Sequence, residues 1–174
     1  MNEEKYSLKF IIIGDPSVGK TNIMYRYSKG EFKGQYSVTI CVEYLTKNIV
    51  IDNTSFRLEL WDTAGSERYL SITRGYYNNS ACAIIVYDIT NIKSFEHVSK
   101  WVEECQQTNG KNIYMILVGN KDDLKDNRKI TEEQGKDLAS KYDLKFFETS
   151  ALTGHNIEEV FNLLEDMRRE FLFV

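Results

Sequence analysis

Apolar segments of strand length recur along this chain and alternate with segments in which apolar residues have helical spacing. The strand-like segments are residues 8–13, 56–61, 81–87, 113–118 and 145–148. Continuous apolar runs of this length are typical of strands buried on both faces, as in a parallel sheet covered by helices. Helical spacing joins Phe95, Val98, Val102 and Cys105 in one segment, and Ile157, Val160, Phe161, Leu164 and Met167 in the last one. The alternation predicts a doubly wound α/β sheet.

One segment breaks the alternation. Residues 39–52 lead through Asn53, Thr54 and Ser55 into the strand at 56–61, which leaves no room for a helix. A hairpin therefore adds one antiparallel edge strand to the five parallel ones. No repeat, low-complexity tract or linker interrupts the sequence. We predict a single α/β domain over residues 1–174, with a mostly parallel six-stranded sheet, one antiparallel edge strand and about five helices.

Composition and charge exclude several classes of protein. With 174 residues the chain is long enough for one domain with a substantial core. The net charge is −4 and the basic residues are interspersed with acidic ones, so the sequence shows no basic patch that could bind a nucleic-acid backbone. We therefore expect no nucleic-acid partner. No apolar run is long enough to span a bilayer, and the first residues, MNEEKYS, lack the apolar core of a leader. Cys41, Cys82 and Cys105 lack metal-ligand spacing and indicate reduced thiols in a cytoplasmic protein.

The first predicted strand leads into GDPSVGKT, residues 14–21, which matches the phosphate-loop pattern G-x-x-x-x-G-K-[ST] between a strand and a helix. The glycines allow a tight turn in which successive N–H groups face a phosphate, close to the positive end of the next helix. Lys20 is expected to reach the β- and γ-phosphates, and the Thr21 hydroxyl to bind Mg²⁺. The alternative is a glycine-containing turn with a surface lysine. It is disfavoured because the whole pattern and both flanking elements are present.

A second motif, WDTAG at residues 61–65, begins at the end of the strand at 56–61. Asp62 therefore emerges at the carboxyl end of a strand, the side where ligands bind in open α/β sheets. There it can hold the hydration shell of Mg²⁺, and the amide of Gly65 can approach a γ-phosphate. Taken alone this motif is more often a turn, and its weight comes from its pairing with the phosphate loop.

Two further motifs concern the base. NKDD at residues 120–123 follows a strand and places the Asp123 carboxylate to accept from the N1–H and the exocyclic amine of guanine. Adenine lacks this donor pair, so the carboxylate would be left unpaired against it. ETSAL at residues 148–152 also follows a strand, where the Ala151 amide can donate to guanine O6 and Ser150 can brace the Asp123 loop. Each motif alone is compatible with an ordinary polar loop. Four motifs in this order together indicate a guanine-nucleotide site.

From about Leu8 to Phe171 the chain resembles the small GTPases of the Ras superfamily, and RLELW, RYLSIT and IVYDIT resemble stretches typical of the Rab family. The resemblance implies a P-loop G-domain fold and a GTP/GDP switch that binds Mg²⁺ and hydrolyses GTP. It also implies a monomer that acts in vesicle-mediated membrane traffic, with effectors, an exchange factor and a GTPase-activating protein binding its switch regions. The expected location is the cytoplasm, at the cytosolic face of an endomembrane when the chain is prenylated.

The resemblance assigns roles to individual residues. Thr39 matches the threonine that closes on Mg²⁺ and the γ-phosphate, Phe32 matches the ring beside guanine, and the Lys121 stem covers the other side of the base. A further set matches an aromatic triad that contacts effectors, with core or hairpin packing as an equally weighted alternative. This triad is Tyr44, Trp61 and Tyr76.

The expected site is therefore as follows. Catalytic positions are Lys20, Thr39, Gly65 and Ser66, and metal contacts are Thr21, Thr39 and Asp62. Nucleotide contacts are Asp15, Ser17, Val18, Gly19, Lys20, Thr21, Asn22, Phe32, Thr39, Gly65, Asn120, Lys121, Asp123, Ser150, Ala151 and Leu152. Effector contacts are Ile40, Tyr44, Trp61, Tyr69 and Tyr76.

Several positions depart from the family pattern. Ser66 stands where the family has a glutamine that orients the attacking water, and no arginine lies within residues 31–40 to offset transition-state charge in cis. We therefore predict weak intrinsic hydrolysis and dependence on an activating protein that supplies arginine and glutamine. Pro16, Cys41 and Leu152 also depart from the usual residues, and the first two bear on activator access and effector choice. REFLFV carries no cysteine for prenylation, so membrane contact is expected only through a lipidated tail absent from this sequence; action without an anchor is the alternative.

Two other functions fit parts of the pattern. Ser66 is compatible with a GTP-binding scaffold that is recognised by partners without turnover. A phosphotransferase that uses the same phosphate loop is disfavoured because the sequence shows no second substrate site or lid, and because Asn120 and Asp123 already specify guanine.

Overall fold

The computed structural model describes residues 6–34, 42–51, 53–64, 75–110 and 113–163. Within these ranges six strands form one sheet: β1 (Tyr6–Gly14), β2 (Val42–Ile51), β3 (Thr54–Thr63), β4 (Cys82–Asp88), β5 (Tyr114–Asn120) and β6 (Lys145–Thr149). Five α-helices lie wholly within the same ranges: α1 (Lys20–Lys29), α2 (Ile92–Glu96), α3 (Val98–Asn109), α4 (Glu132–Lys141) and α5 (Ile157–Asn162). Residues 75–77 are also helical, and Lys125–Asn127 form a 3₁₀ turn.

The sheet has the strand order β2-β3-β1-β4-β5-β6. β2 and β3 are antiparallel, whereas the other neighbouring pairs are parallel. The antiparallel pair turns at Asn53, whose φ of 62° lies in the left-handed region that tight turns use. The predicted α/β fold with one antiparallel edge strand is confirmed.

Helices cover both faces of the sheet. Along β1, Phe10 and Ile12 pack with residues of α1 and α5, whereas Ile11 and Ile13 pack on the opposite side with residues of α3 and α4. The central strand β4 is buried along its whole length. Burial on both faces explains why these strands are continuous apolar runs rather than alternating ones.

The helical spacing from Phe95 to Cys105 proves to belong to two helices. α2 ends at Glu96 and α3 begins at Val98, with His97 between them. Val98, Val102 and Cys105 nevertheless share the buried face of α3. In the last helix, Ile157, Val160 and Phe161 are buried as expected, while Leu164 and Met167 lie outside the described residues.

The carboxyl ends of the strands meet at one edge of the sheet. β5 and β6 run beyond their predicted ends, to Asn120 and Thr149, and these two residues pair with each other. Asp88, the last residue of β4, pairs with Asn120, and Asp62 of β3 pairs with Ile12. The described residues of all four sequence motifs therefore lie at the edge where ligands bind in open α/β sheets.

In the part of the chain that the structure describes, none of the helices combines the length and the apolar character needed to cross a bilayer. Cys82 and Cys105 are buried free thiols, and burial raises the pKa of Cys105 to about 12. Such thiols are inert because they do not ionise near neutral pH. Cys41 lies outside the described residues.

Candidate functional site

Lys20 of the phosphate loop is enclosed by the loop that precedes it. Its Nζ donates to the carbonyl oxygen of Gly14 at 3.0 Å and to that of Asp15 at 2.7 Å, and its side chain is buried. Burial lowers the pKa of Lys20 to about 8, against the opposing attraction of Asp62 and Asp15. A phosphate in this loop would supply negative charge that favours the protonated amine.

The loop presents backbone N–H groups to an anion. It turns through left-handed backbone at Ser17, with a φ of 67°, and at Gly19, with a φ of 101°. α1 begins directly after Gly19, which has no side chain that could cap the helix. N–H groups at the positive end of a helix are a ready anion site, so the geometry fits a bound phosphate.

We expect Gly19→Ala to destabilise the fold and to weaken nucleotide binding. Left-handed backbone costs an alanine about 1–2 kcal/mol. The new Cβ would also lie 2.3 Å from Asn120 Nδ2, which donates to the carbonyl of Val18. Thermal unfolding and GDP titration measure the two effects. Gly30→Ala is the matched control, because Gly30 has a φ of 70° with open space where its Cβ would stand. Equal losses in both variants would contradict the importance of the Asn120 contact.

Thr21 and Asp62 meet beside the phosphate loop. The Thr21 hydroxyl donates a hydrogen bond to Asp62 Oδ2, and Asp62 is fully buried near the end of β3. A hydroxyl and a carboxylate are hard oxygen ligands, and Mg²⁺ completes such a shell with phosphate oxygens and water. The donor set therefore fits the predicted metal. Thr39, the third expected ligand, lies outside the described residues.

Asn120 joins the phosphate loop to the loops that follow β5 and β6. Its Nδ2 donates to the carbonyl of Val18 at 2.9 Å, and its Oδ1 accepts from Thr149 Oγ1 at 3.0 Å and from the Ala151 amide at 3.3 Å. The side chain is buried, so each of these bonds forms away from bulk water, where an unmade bond is costly. Asn120 thus fixes the relative positions of three loops.

Asp123 is braced from the loop that follows β6. Ser150 Oγ donates to Asp123 Oδ1 at 2.6 Å, a short bond to a charged acceptor. This contact can orient the carboxylate toward a base. The arrangement is the one that recognition of guanine by Asp123 would need, and that role stays a prediction.

Lys121 spans the site rather than pointing into solvent. Its Nζ lies 2.6 Å from Asp88 Oδ2 and donates to the carbonyl of Ser17 at 2.8 Å. The Lys121 stem therefore stretches from the loop after β5 to the phosphate loop, where it can cover one face of a base. The sequence interpretation overlooked Asp88. The available signal was the same as for Asp62, an acidic residue at the carboxyl end of a buried strand.

Of the remaining predicted contact residues, some lie within the described ranges and some lie outside them. Phe32 is 39% exposed and Leu152 is 51% exposed, so both side chains are accessible to a ligand. Asn22 accepts at its Oδ1 from the Lys33 amide at 2.9 Å, which fastens the segment carrying Phe32 to α1. Several predicted residues lie outside the described ranges: Thr39, Ile40, Gly65, Ser66 and Tyr69.

Comparison with known proteins agrees with this geometry. The sequence profile of the Ras family matches residues 9–169. Ras-related protein RABA4a of Arabidopsis thaliana is 45% identical over 90% of this chain and 70% of its own length. GTP-binding protein ypt3 of Schizosaccharomyces pombe is 43% identical over 92% and 75%, and Ras-related protein Rab-11B of Dictyostelium discoideum is 44% identical over 93% and 74%. The chain is a Rab-family small GTPase.

The family predicted from the four motifs is thereby confirmed. Proteins of this family bind GTP and GDP with Mg²⁺ and hydrolyse GTP, so this Rab belongs to the GTPase class of nucleotide-binding proteins.

The predicted aromatic triad is assembled in this Rab. The Tyr44 and Trp61 rings lie 4.7 Å apart, and those of Trp61 and Tyr76 lie 5.6 Å apart. Tyr44 is 40% exposed at the antiparallel edge of the sheet. The rings therefore pack against one another, as the packing alternative holds, and at least Tyr44 also faces solvent. Contact with effectors stays a prediction.

Asp15 has side-chain partners that sequence reasoning missed. Its Oδ1 accepts from the Trp101 indole N–H at 2.8 Å, and its Oδ2 lies 2.7 Å from His97 Nδ1. The carboxylate is thus bonded at the start of α3, while the Asp15 carbonyl holds Lys20. No pattern in the sequence indicated this contact, because Trp101 is expected to pack in the core by its ring and stands 86 positions away from Asp15.

Proposed function

We propose that this Rab is a Mg²⁺-dependent GTP/GDP switch that regulates vesicle-mediated membrane traffic through effector binding. The observation that carries the proposal is the convergence of four motifs at one edge of the sheet. Asn120 bonds both the phosphate loop at Val18 and the loop after β6 at Ala151. Since one buried side chain joins these loops, phosphates and base would be held in a single site.

Different residues of the chain would bind the phosphates, the base and the metal. Lys20 and the first N–H groups of α1 hold the phosphates, and Asp123 reads the base. Thr21 and Asp62 would hold Mg²⁺, which would neutralise charge on the phosphate oxygens. Nucleotide binding would thus use residues that follow β1 and β5 and a residue near the end of β3.

The switch itself depends on Thr39 and Gly65, which are expected to contact the γ-phosphate only in the GTP state. Trp61 directly precedes Asp62 in β3 and packs between Tyr44 and Tyr76. The proposed effector surface therefore adjoins the proposed metal site. Effectors, an exchange factor and an activating protein would bind there, at the cytosolic face of an endomembrane.

Chelation of Mg²⁺ is expected to accelerate GDP release from the wild-type chain, because Thr21 and Asp62 would lose their shared ligand. Release of a fluorescent GDP analogue, followed with and without chelator, measures the effect. Thr21→Ala is the comparison variant, in which chelator should change the rate less. A release rate that does not depend on Mg²⁺ would contradict the proposed metal site, and failure to bind GDP would contradict the proposed function.

A second candidate function is a GTP-binding scaffold without turnover, and Ser66 is the feature that favours it. The switch hypothesis instead holds that hydrolysis is slow alone and fast with an activating protein. Bound nucleotide followed over hours, with and without such an activator, separates the two. GTP that stays intact under both conditions would establish the scaffold.

A further inference from the structure

The side chain of Arg26 connects two segments that are distant in sequence. From α1, its Nε donates to the carbonyl of Ala151 at 2.8 Å and its Nη2 donates to the carbonyl of Leu152 at 2.6 Å. Its Nη1 donates to the carbonyl of Gly30 at 2.9 Å. The guanidinium thus bonds three backbone carbonyls in two separate segments.

The first of these segments carries Phe32. Gly30 ends α1 with a φ of 70°, and its amide donates to the carbonyl of Arg26 at 3.0 Å. Three residues on, the Lys33 amide donates to Asn22 Oδ1 at 2.9 Å. The stretch that holds Phe32 is therefore fastened to α1 on both sides, and the Arg26 side chain adds a second bond at Gly30 beside the backbone one.

The second segment carries the amide expected to meet guanine O6. Ala151 and Leu152 are held at their carbonyls by Arg26. Ser150 has other supports, because its amide donates to the carbonyl of His155 at 3.1 Å and its carbonyl accepts from Gly154 at 2.8 Å. Loss of Arg26 would therefore remove the support of the Ala151 carbonyl, leaving the hydrogen bond of the Ala151 amide to Asn120 Oδ1 at 3.3 Å and the Ser150 brace on Asp123.

We propose that Arg26 is a positioning residue for guanine recognition, which ties the segment carrying Phe32 to the loop that faces O6 so that both hold the base as one unit. The proposal rests on the proposed nucleotide function and extends it to control of guanine release. The planar guanidinium suits this task because its N–H groups diverge in one fixed fork. A lysine ammonium has no such fork and cannot reproduce the three bonds together.

The first test is the rate of GDP release in the full chain. Bonds from a charged donor to carbonyls are strong, so Arg26→Gln should raise the release rate about tenfold. Arg26→Lys should give an intermediate rate. The matched control is Arg128→Gln, which also removes three bonds, two to Glu148 at 2.6 and 2.8 Å and one to the carbonyl of Ile130 at 3.0 Å. The control should release GDP at the wild-type rate.

The second test separates positioning from a general loss of stability. The affinity ratio of GDP to 6-thio-GDP reports on recognition of O6, and the ratio of GDP to IDP reports on recognition of the amine. Arg26→Gln should reduce the first ratio and leave the second unchanged, since Ser150 still braces Asp123. If both ratios keep their wild-type values, Arg26 stabilises the fold only and the proposal is overturned.

The outcomes also distinguish this proposal from the proposed nucleotide function on which it rests. A wild-type chain that fails to bind GDP overturns the proposed function. A wild-type chain that binds GDP, with Arg26→Gln and Arg128→Gln releasing it equally fast, overturns only the role of Arg26. Should Arg26→Gln fail to fold, Arg26→Lys carries both tests, and wild-type release and ratios in that variant count against the proposal.

Discussion

Replacing Asp123 with asparagine should transfer the preference of this Rab from GDP to xanthosine diphosphate. The affinity for GDP is expected to fall on the order of a thousandfold or more, because a site built around a hydrogen bond strongly rejects a partner that cannot make it. Guanine presents an N1–H and an amine, both donors, and an asparagine amide group would oppose them with another donor.

The structure explains why the amide should face the base. Ser150 Oγ donates to one oxygen of Asp123 at 2.6 Å and needs an acceptor there. In Asp123→Asn the amide oxygen can keep that bond, which leaves the NH₂ group in the position of the other carboxylate oxygen. Xanthine carries a carbonyl where guanine has its amine, so the new donor finds an acceptor.

Competition of GDP and xanthosine diphosphate for a fluorescent nucleotide measures the change in preference. Asp122→Asn is the matched control, since it removes the same charge one residue earlier, where the carboxylate contacts His155 Nδ1. The control should keep the wild-type preference for GDP. If Asp123→Asn gains no affinity for xanthosine diphosphate, or if both variants behave alike, Asp123 does not read the base.

Much of the site could be predicted because parallel strands end at one edge of a sheet. Asp62 lies near the end of β3 and Asp123 follows β5, and strand direction alone places both at the same edge of the sheet. The end of β5 could not be predicted from the apolar pattern of the sequence. The polar Asn120 continues the strand because it pairs with Asp88 and Thr149, and its side chain bonds the phosphate loop, the end of β6 and the loop that follows β6.

Other contacts could not be predicted from the sequence around the residues that make them. Arg26 reaches the carbonyl of Ala151 across 125 positions of sequence, and Trp101 reaches Asp15 across 86. A polar residue on an amphipathic helix usually faces water and a tryptophan usually packs in the core, and nothing in either segment shows which loop will meet its N–H groups. The break between α2 and α3 at His97 was missed for a related reason, since apolar spacing continued on both sides of it.

The predicted slow hydrolysis rests on the chemistry of Ser66. Ser66 has a short hydroxyl side chain, whereas the glutamine usual in this family has a longer amide that both donates to and accepts from water. No arginine lies within residues 31–40, and Lys33, whose Nζ is 3.1 Å from Glu43 Oε1, lacks the planar fork of a guanidinium. Intrinsic turnover should therefore be limited by both water positioning and charge stabilisation.

We expect Ser66→Gln to accelerate intrinsic GTP hydrolysis about ten- to a hundredfold, which corresponds to roughly 1.4–2.7 kcal/mol of activation barrier. Single-turnover hydrolysis of GTP bound with Mg²⁺ measures the rate without interference from product release. Ser66→Ala is the matched control, because it removes the hydroxyl without adding an amide and should hydrolyse GTP at the wild-type rate. Release of GDP should stay the same in all three chains, since Ser66 is not expected to hold the base or the β-phosphate. If glutamine brings no acceleration, water positioning at residue 66 does not limit this Rab, and the missing transition-state charge is left as the cause of any slow turnover.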